Sequence, residues 1–429
     1  MNPENKKSSQ KKLYTSLYKF PDGRIAEMIC SKENGSQFVY LDLNGSIVYA
    51  NKIETETSII LPFPENQVSS NAVLFPSEAT DYMTAGVLIE EIMSFIHKYL
   101  DIEPIYEKIC AYFVLFTYFF DRFDVTPYLR FTGDYGCGKS RAWKTIGSLC
   151  YKTIFCSGAT TSSPIFRFID LFHSVLAIDE SDLKSSTMND EIIKILNSGY
   201  MAGSGVMRSD VSGSDKQIIP RIFDCYCPKI IITRESFKDR ALESRCLTIT
   251  MTGRQRKDIP LNIKNDEFNK EALGLRNKLL LFRLRNYSLT SLKESLFEEA
   301  IEDRLNQIII PLLSVVSNPD DSQEIIAFMK ETNKKMLEDR SATLEYDVLE
   351  AINALLKANP EVKLSGITEE VNKANPAETD QLTPRKIGYI LREKLKLRTK
   401  RKGNGTYLII SEEQLIKLNK RFAYVGNNQ

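Results

Sequence analysis

A chain of 429 residues can hold two or three domains, each with its own core. Its 57 Lys+Arg nearly balance 56 Asp+Glu, which excludes a global basic field, so any surface for nucleic acid must be local. The eight cysteines are scattered, several inside apolar runs, Cys225-x-Cys227 has no second pair at zinc spacing, and His97 and His173 are the only histidines; reduced, mostly buried thiols are expected rather than disulfides or a zinc site.

The N-terminus lacks the apolar core of a signal peptide. The longest apolar segment near it, residues 111–120, is too short for a bilayer, so a cytoplasmic protein with no membrane association is expected. Residues 1–12 read as a disordered tail and 13–76 as a small β-rich domain and linker. In the latter, alternating runs at 13–18, 38–43 and 46–49 are separated by the turn signals Pro21-Asp22-Gly23, Asn34-Gly35 and Asn44-Gly45, and 62–76 reads as the linker.

Residues 77–260 are expected to form an α/β core. Apolar helices near 87–92 and 105–120 lead into a strand, Tyr128–Thr132. Then Gly133-Asp134-Tyr135-Gly136-Cys137-Gly138-Lys139-Ser140 fits G-x-x-x-x-G-K-[ST] without a mismatch, and a helix starts at Arg141. Glycines at both ends let the backbone fold into a nest of N–H groups aimed at phosphate oxygens, and the helix N-terminus adds its partial positive charge. Lys139 can reach the β- and γ-phosphates, and the Ser140 hydroxyl can ligate Mg²⁺. About 40 residues later, 175–180 is an apolar run ending in two acids. Asp179 would join Ser140 at the metal, and Glu180 would orient a water. The expected chemistry is hydrolysis of ATP with Mg²⁺ as cofactor.

Strands at 153–156, 229–233 and 246–250 bring the core count to five, with helices between them. A β-hairpin with a cationic tip, carrying Arg208, Lys216 and Arg221, is expected at 205–223. Residues 261–340 are helical by periodicity and read as a lid. Residues 341–429 give three helices, the last capped by Thr383 with Pro384 in its first turn, and then a basic hairpin turning at Gly403-Asn404-Gly405; this is the plan of a winged helix. Here Arg385, Lys386, Arg392, Lys394, Lys396, Arg398, Lys400, Arg401 and Lys402 stand against Glu393 alone. Such a patch suits salt-sensitive phosphate contacts to DNA, with a solvated protein-contact face as the alternative.

Together these residues resemble the AAA+ ATPase domains of replication helicases carried by phages, plasmids and integrative elements, relatives of MCM-like helicases. The resemblance spans roughly residues 125–410. It rests on the phosphate loop, Ile178-Asp179-Glu180, the hairpin before Lys229, Ala241-Leu242-Glu243-Ser244-Arg245, Glu302-Asp303-Arg304, Leu382-Thr383-Pro384-Arg385-Lys386 and the terminal helices and hairpin. It implies an α/β fold: a P-loop AAA+ ATPase core with a helical lid, a small N-terminal β-rich domain and a C-terminal winged-helix domain. It also implies that residues 133–141 cradle the nucleotide, that Thr233 is a polar sensor (many members carry Asn there) and that Arg304 is the lid sensor. Arg245 would be a finger reaching a neighbour's γ-phosphate, with Arg240 and Arg234 as alternatives, and the hairpin around Lys216 would touch DNA in a ring channel. A finger acting in trans implies a homo-oligomer, by analogy a hexamer. The implied function is an ATP-dependent helicase or translocase acting on single-stranded or forked DNA in replication of a mobile genetic element. The alternatives are a replication initiator, loader or defence ATPase that assembles on DNA without unwinding it, and a DNA-binding regulator with a structural ATPase core. No primase constellation is legible, so a primase or initiator would be a separate partner.

Overall fold

Apolar runs without polar alternation build strands buried on both faces, and such strands join parallel sheets. The computed structural model describes residues 10–64, 72–157, 160–179, 186–212, 217–237, 239–341, 343–374, 382–403 and 405–422. In it, five strands form one sheet in the order Cys246–Thr250, Tyr128–Thr132, Lys229–Ile232, Leu176–Asp179, Ile154–Cys156. Every pairing is parallel. The helices Lys139–Gly147, Ser162–Phe172 and Ser186–Ser198 lie between these strands in the chain. The first core strand in sequence is thus flanked by the last two, and the Asp179 strand is one strand removed from it. Thr132 pairs with Thr250, Phe131 with Ile232, and Ile232 with Asp179, so the ends of four strands reach the same edge. In open α/β sheets that carboxyl edge is where ligands bind.

The hairpin is present: Gly205–Ser212 pairs antiparallel with Gln217–Asp224, Arg208 opposite Arg221. The N-terminal residues form a four-stranded antiparallel sheet, Leu17–Lys19, Ile25–Ser31, Gly35–Leu41 and Ile47–Ala50. A smaller sheet pairs Lys11–Tyr14, Ser58–Leu61 and Ile53–Glu54. The linker expected at 62–76 is corrected over residues 72–76. Val73 bridges Ile154 at the edge of the core sheet, and the Leu74 amide donates to Thr153 O at 3.0 Å, because Val73 and Phe75 are apolar and bury there.

The chain divides into two compact units, residues 1–326 and 327–429. In the first, the Asn265–Asn286 helix, expected in a lid, is an internal element: Arg276, Asn277, Leu279, Leu280 and Arg283 are all buried, and Leu280 packs on Ile29 and Val39 of the N-terminal sheet. The second unit has helices Leu344–Ala358, Leu364–Ala374 and Pro384–Tyr389, the last continuing as a π turn through Ile390–Lys394. The antiparallel strands Arg398–Lys402 and Gly405–Ile409 follow, then the helix Glu412–Arg421. Its core centres on Val348, Ile352, Ile367, Ile387 and Leu391. Among the described residues no helix is long and apolar enough to cross a membrane.

Within the first unit, Glu27 of the N-terminal sheet is fully buried and meets two cations, Lys152 Nζ at 2.8 Å and Arg283 Nε at 2.6 Å. Tyr151 donates its hydroxyl to both Glu27 oxygens, and Arg283 also pairs with Asp121 at 2.9 Å. Burial alone would raise the Glu27 carboxyl, but Lys152 and Arg283 outweigh it and hold the pKa below its ordinary value. Asp121 is likewise held low by Arg283 against its burial. Both folded values are depressed, so their stabilisation is complete above the ordinary carboxylate range near ~4 and is lost as pH falls through the lower folded values. Removing one partner of a buried pair leaves an uncompensated charge, so Glu27→Gln is expected to cost about 3–5 kcal/mol. Denaturant melts at pH 7 should show that loss, and melts down to pH 3 should show a weaker acid dependence in the variant than in the wild type.

Candidate functional site

The loop after Tyr128–Thr132 turns on three glycines with positive φ, Gly133 at 143°, Gly136 at 73° and Gly138 at 98°. A Cβ on Gly133 would stand 2.5 Å from Met251 O and 2.9 Å from Cys137 Sγ, so the loop lies hard against the end of the last core strand. Lys139 opens the following helix, and its ammonium donates to Gly133 O and Asp134 O, each at 2.6 Å, across the mouth of the loop. Ser140 is exposed beside it. The Arg141 guanidinium turns away, donating to Pro260 O and Leu261 O in the segment after the last strand. Arg141 therefore braces the loop rather than extending the phosphate cradle.

Asp179 ends its strand half-buried at the same edge. Glu180 lies outside the described residues. Thr233 follows the strand lying between the loop strand and the Asp179 strand, and its amide donates to Phe131 O at 3.1 Å. The residue is 5% exposed, and its hydroxyl is buried without a hydrogen-bond partner among the described residues. An unpaired buried hydroxyl costs about 1–3 kcal/mol, a cost removed when a polar ligand or water completes it. Among the described residues no cluster of three or more His, Cys, Asp or Glu could hold a metal by itself. Ser140 and Asp179 instead offer the few hard oxygen ligands that suit Mg²⁺ carried on phosphates. The glycine cradle, Lys139, these oxygens and the orphaned hydroxyl fit a nucleoside polyphosphate with its cation.

The arginines are elsewhere. Arg245 immediately precedes Cys246–Thr250, and its carbonyl accepts from the amide of Tyr128, so it sits at the opposite, amino edge of the sheet. The run from Tyr128 to Thr132 spans about 13 Å, which keeps Arg245 from its own phosphate loop. Arg245 is 8% exposed, and its guanidinium donates to Asn197 Oδ1 and lies 3.8 Å over the ring of Tyr200. Arg304 stacks on the same ring at 4.9 Å and donates to Ser244 Oγ and Gln307 Oε1. This corrects the expectation for Arg304: it joins Arg245 rather than overhanging the chain's own loop. Burial pushes the Tyr200 phenol up, but hydrogen bonding and charge from Arg304, with the charge of Arg245, outweigh it and its pKa is lowered. Tyr200 carries no motif in the sequence; only the fold identifies it. The Arg240 side chain lies outside the described residues, and Arg234 is at the carboxyl edge, over Tyr135.

The hairpin also departs from expectation. Arg221 pairs with Asp170 at 2.8 Å, and Arg208 reaches Glu191 at 3.5 Å and the ring of Phe166 at 5.7 Å. Both arginines project from the face that carries the buried Phe223, which packs on Phe166, while Met207 and Ile222 are exposed on the other face. The flanks of the hairpin are therefore neutralised by carboxylates, and Lys216 lies outside the described residues. At its root, the buried Lys229 ammonium donates to Gly199 O at 2.9 Å, Cys225 O at 3.2 Å and Cys227 O at 2.9 Å.

In the second unit Arg385, Lys386, Arg392, Lys396, Arg398, Lys400, Arg401 and Lys402 are all exposed. Alternation puts Arg398, Lys400 and Lys402 on one face of their strand, with Arg401 on the other. Tyr407 pairs opposite Lys400, and the ammonium groups of Lys363 and Lys402 each lie 5.7 Å from its ring centre. Lys363 and Tyr407 lay outside the expected patch because one precedes the basic run and the other follows the turn.

No family model and no curated protein matches the sequence. Among solved structures the chain is similar to the apo A form of the NrS-1 C-terminal region, at 11% identity and a TM-score of 0.37, over 90% of this chain and 96% of that one. It is also similar to SCCmec type IV Cch, described as an active helicase, at 13% identity and a TM-score of 0.43, over 97% of this chain and 81% of that one. A likeness at this level carries no activity from those proteins to this chain.

The loop geometry makes a direct prediction. Gly133→Ala should weaken Mg·ATP binding about 10-fold or more, through a positive φ and the collision with Met251 O. Gly136→Ala has nothing within 4 Å of the added methyl and should lose less. Isothermal titration of both variants, with circular dichroism to show an intact fold, checks the order.

Proposed function

We propose that this chain is an ATP-hydrolysing AAA+ DNA motor, a helicase or translocase of a replicating mobile element, that works as a homo-oligomer, by analogy a hexamer. The observation that carries the reading is the division of the charged groups between two edges of one sheet. Lys139, Asp179 and the orphaned Thr233 hydroxyl stand at the carboxyl edge, while Arg245 and Arg304, with no ion pair among the described residues, share Tyr200 at the amino edge. Only a second copy can bring such arginines to a phosphate held at the carboxyl edge.

Lys139 and the loop amides hold the β- and γ-phosphates in line. Ser140 and Asp179 would hold Mg²⁺, which would supply charge neutralisation at the phosphates. Glu180 accepts a hydrogen bond from the attacking water and aligns it, Thr233 donates its hydroxyl toward that water or the γ-phosphate, and a neighbour's Arg245 stabilises the developing charge. The C-terminal unit, read as a winged helix, grips DNA phosphates through its exposed basic face. The paired state of Arg208 and Arg221 favours a second reading, an AAA+ switch that assembles on DNA without unwinding it.

Arg245→Ala should keep ATP binding in each protomer and lower turnover on the order of 10³-fold, the scale of a lost arginine finger. Mixing Arg245→Ala with Lys139→Ala protomers should restore activity, because sites form that pair an intact loop with an intact finger. Full turnover by a strictly monomeric protein would overturn the assignment. ATPase assays with and without single-stranded DNA, beside forked-duplex unwinding, separate the motor from the switch: the switch predicts turnover without unwinding.

A further inference from the structure

Arg234 is the residue after Thr233, at the carboxyl edge of the sheet, and its carbonyl accepts from Thr132 Oγ1 at 3.2 Å. Its backbone is thus tied to the root of the phosphate loop. Its guanidinium forms no ion pair among the described residues. It lies 4.0 Å over the ring of Tyr135, with one N–H donated to the Tyr135 hydroxyl. Tyr135 belongs to the loop itself and is 79% exposed. Both residues line a cleft with Gly133, Gly136, Cys137 and Thr250.

An exposed cation–π stack is a weak hold on a guanidinium. A charge-assisted, bidentate bond to a phosphate is stronger and suits the planar fork. An arginine anchored at the loop's root and stacked on the loop's own side chain therefore has a stronger partner whenever phosphate occupies the cradle. We infer that Arg234 is a second cationic ligand for the phosphates of the nucleotide bound by the same chain, held on Tyr135 until that nucleotide arrives. This rests on the nucleotide-binding reading above and adds to it a cis residue distinct from Arg245. Because the ring competes with the phosphate for one guanidinium, removing the ring favours the bound state.

The test is Mg·ATP affinity of the full chain by isothermal titration, for wild type, Arg234→Ala, Arg234→Lys, Tyr135→Ala and Lys139→Ala, each with a thermal melt. Arg234→Ala should weaken binding about 10-fold or more, the scale of a lost charged hydrogen bond. Arg234→Lys should recover part of this, and Tyr135→Ala should bind as tightly as wild type or tighter. If Tyr135→Ala weakens binding as much as Arg234→Ala, the stack only shapes the loop and the inference falls. It also falls if Arg234→Ala binds like wild type while Lys139→Ala has lost binding. Wild-type affinity in Lys139→Ala would instead sink the nucleotide reading itself. Mixed-protomer ATPase assays at sub-saturating ATP assign the geometry. Arg234→Ala should be rescued by Arg245→Ala protomers and not by Lys139→Ala protomers; rescue by Lys139→Ala would make Arg234 a trans residue and overturn the proposal.

Discussion

The first unit depends on one buried charge cluster, in which Glu27 and Asp121 balance Lys152 and Arg283. Four charges out of water are tolerable only when each finds its opposite and its remaining hydrogen bonds are met. Here Tyr151 and Tyr287 supply hydroxyls, and Ser16 O accepts from Lys152 at 2.9 Å. The partners come from the N-terminal sheet, the turn after the phosphate-loop helix, the segment before the loop strand and the Asn265–Asn286 helix. The cluster therefore fixes the position of the small sheet against the core that carries the site. Without it, the N-terminal strands would hold the core mainly by apolar contacts such as Ile29 and Val39 on Leu280.

With that frame fixed, the site follows from strand order. A strand inserted between the loop strand and the Asp179 strand brings Thr233 to the same carboxyl edge as the glycine loop and Asp179. The same inserted strand is anchored at its other end by Lys229, whose three carbonyl acceptors hold the hairpin root and the end of the preceding helix together. The hairpin is thus joined to the strand that precedes Thr233 through a buried lysine rather than through a flexible turn.

Much of this is legible in the sequence. The glycine loop after Tyr128–Thr132 is, because glycine is the residue that most readily takes the positive φ found at Gly133, Gly136 and Gly138. The core strands are, because strands buried on both faces leave runs such as Ile230-Ile231-Ile232. What is not legible depends on which surfaces meet. Arg304 reads as a lid residue until helix packing places it beside Tyr200. Arg208 and Arg221 read as free cations because Asp170 and Glu191 are distant in the chain. Glu27 sits in an apolar strand, and its partners are more than a hundred residues away. The stretch around Val73 reads as a linker because a single bridge to an edge strand leaves too short a pattern.

The last core strand links the two edges in a way that matters mechanically. It begins directly after Arg245 and ends at Thr250, next to Met251, whose carbonyl crowds Gly133 so closely that the loop cannot accept even a methyl group there. A five-residue strand held by its neighbour along its whole length behaves as a short stiff rod. A displacement at the Arg245 end therefore has little slack to absorb it before it reaches Met251 and the glycine loop at the other end.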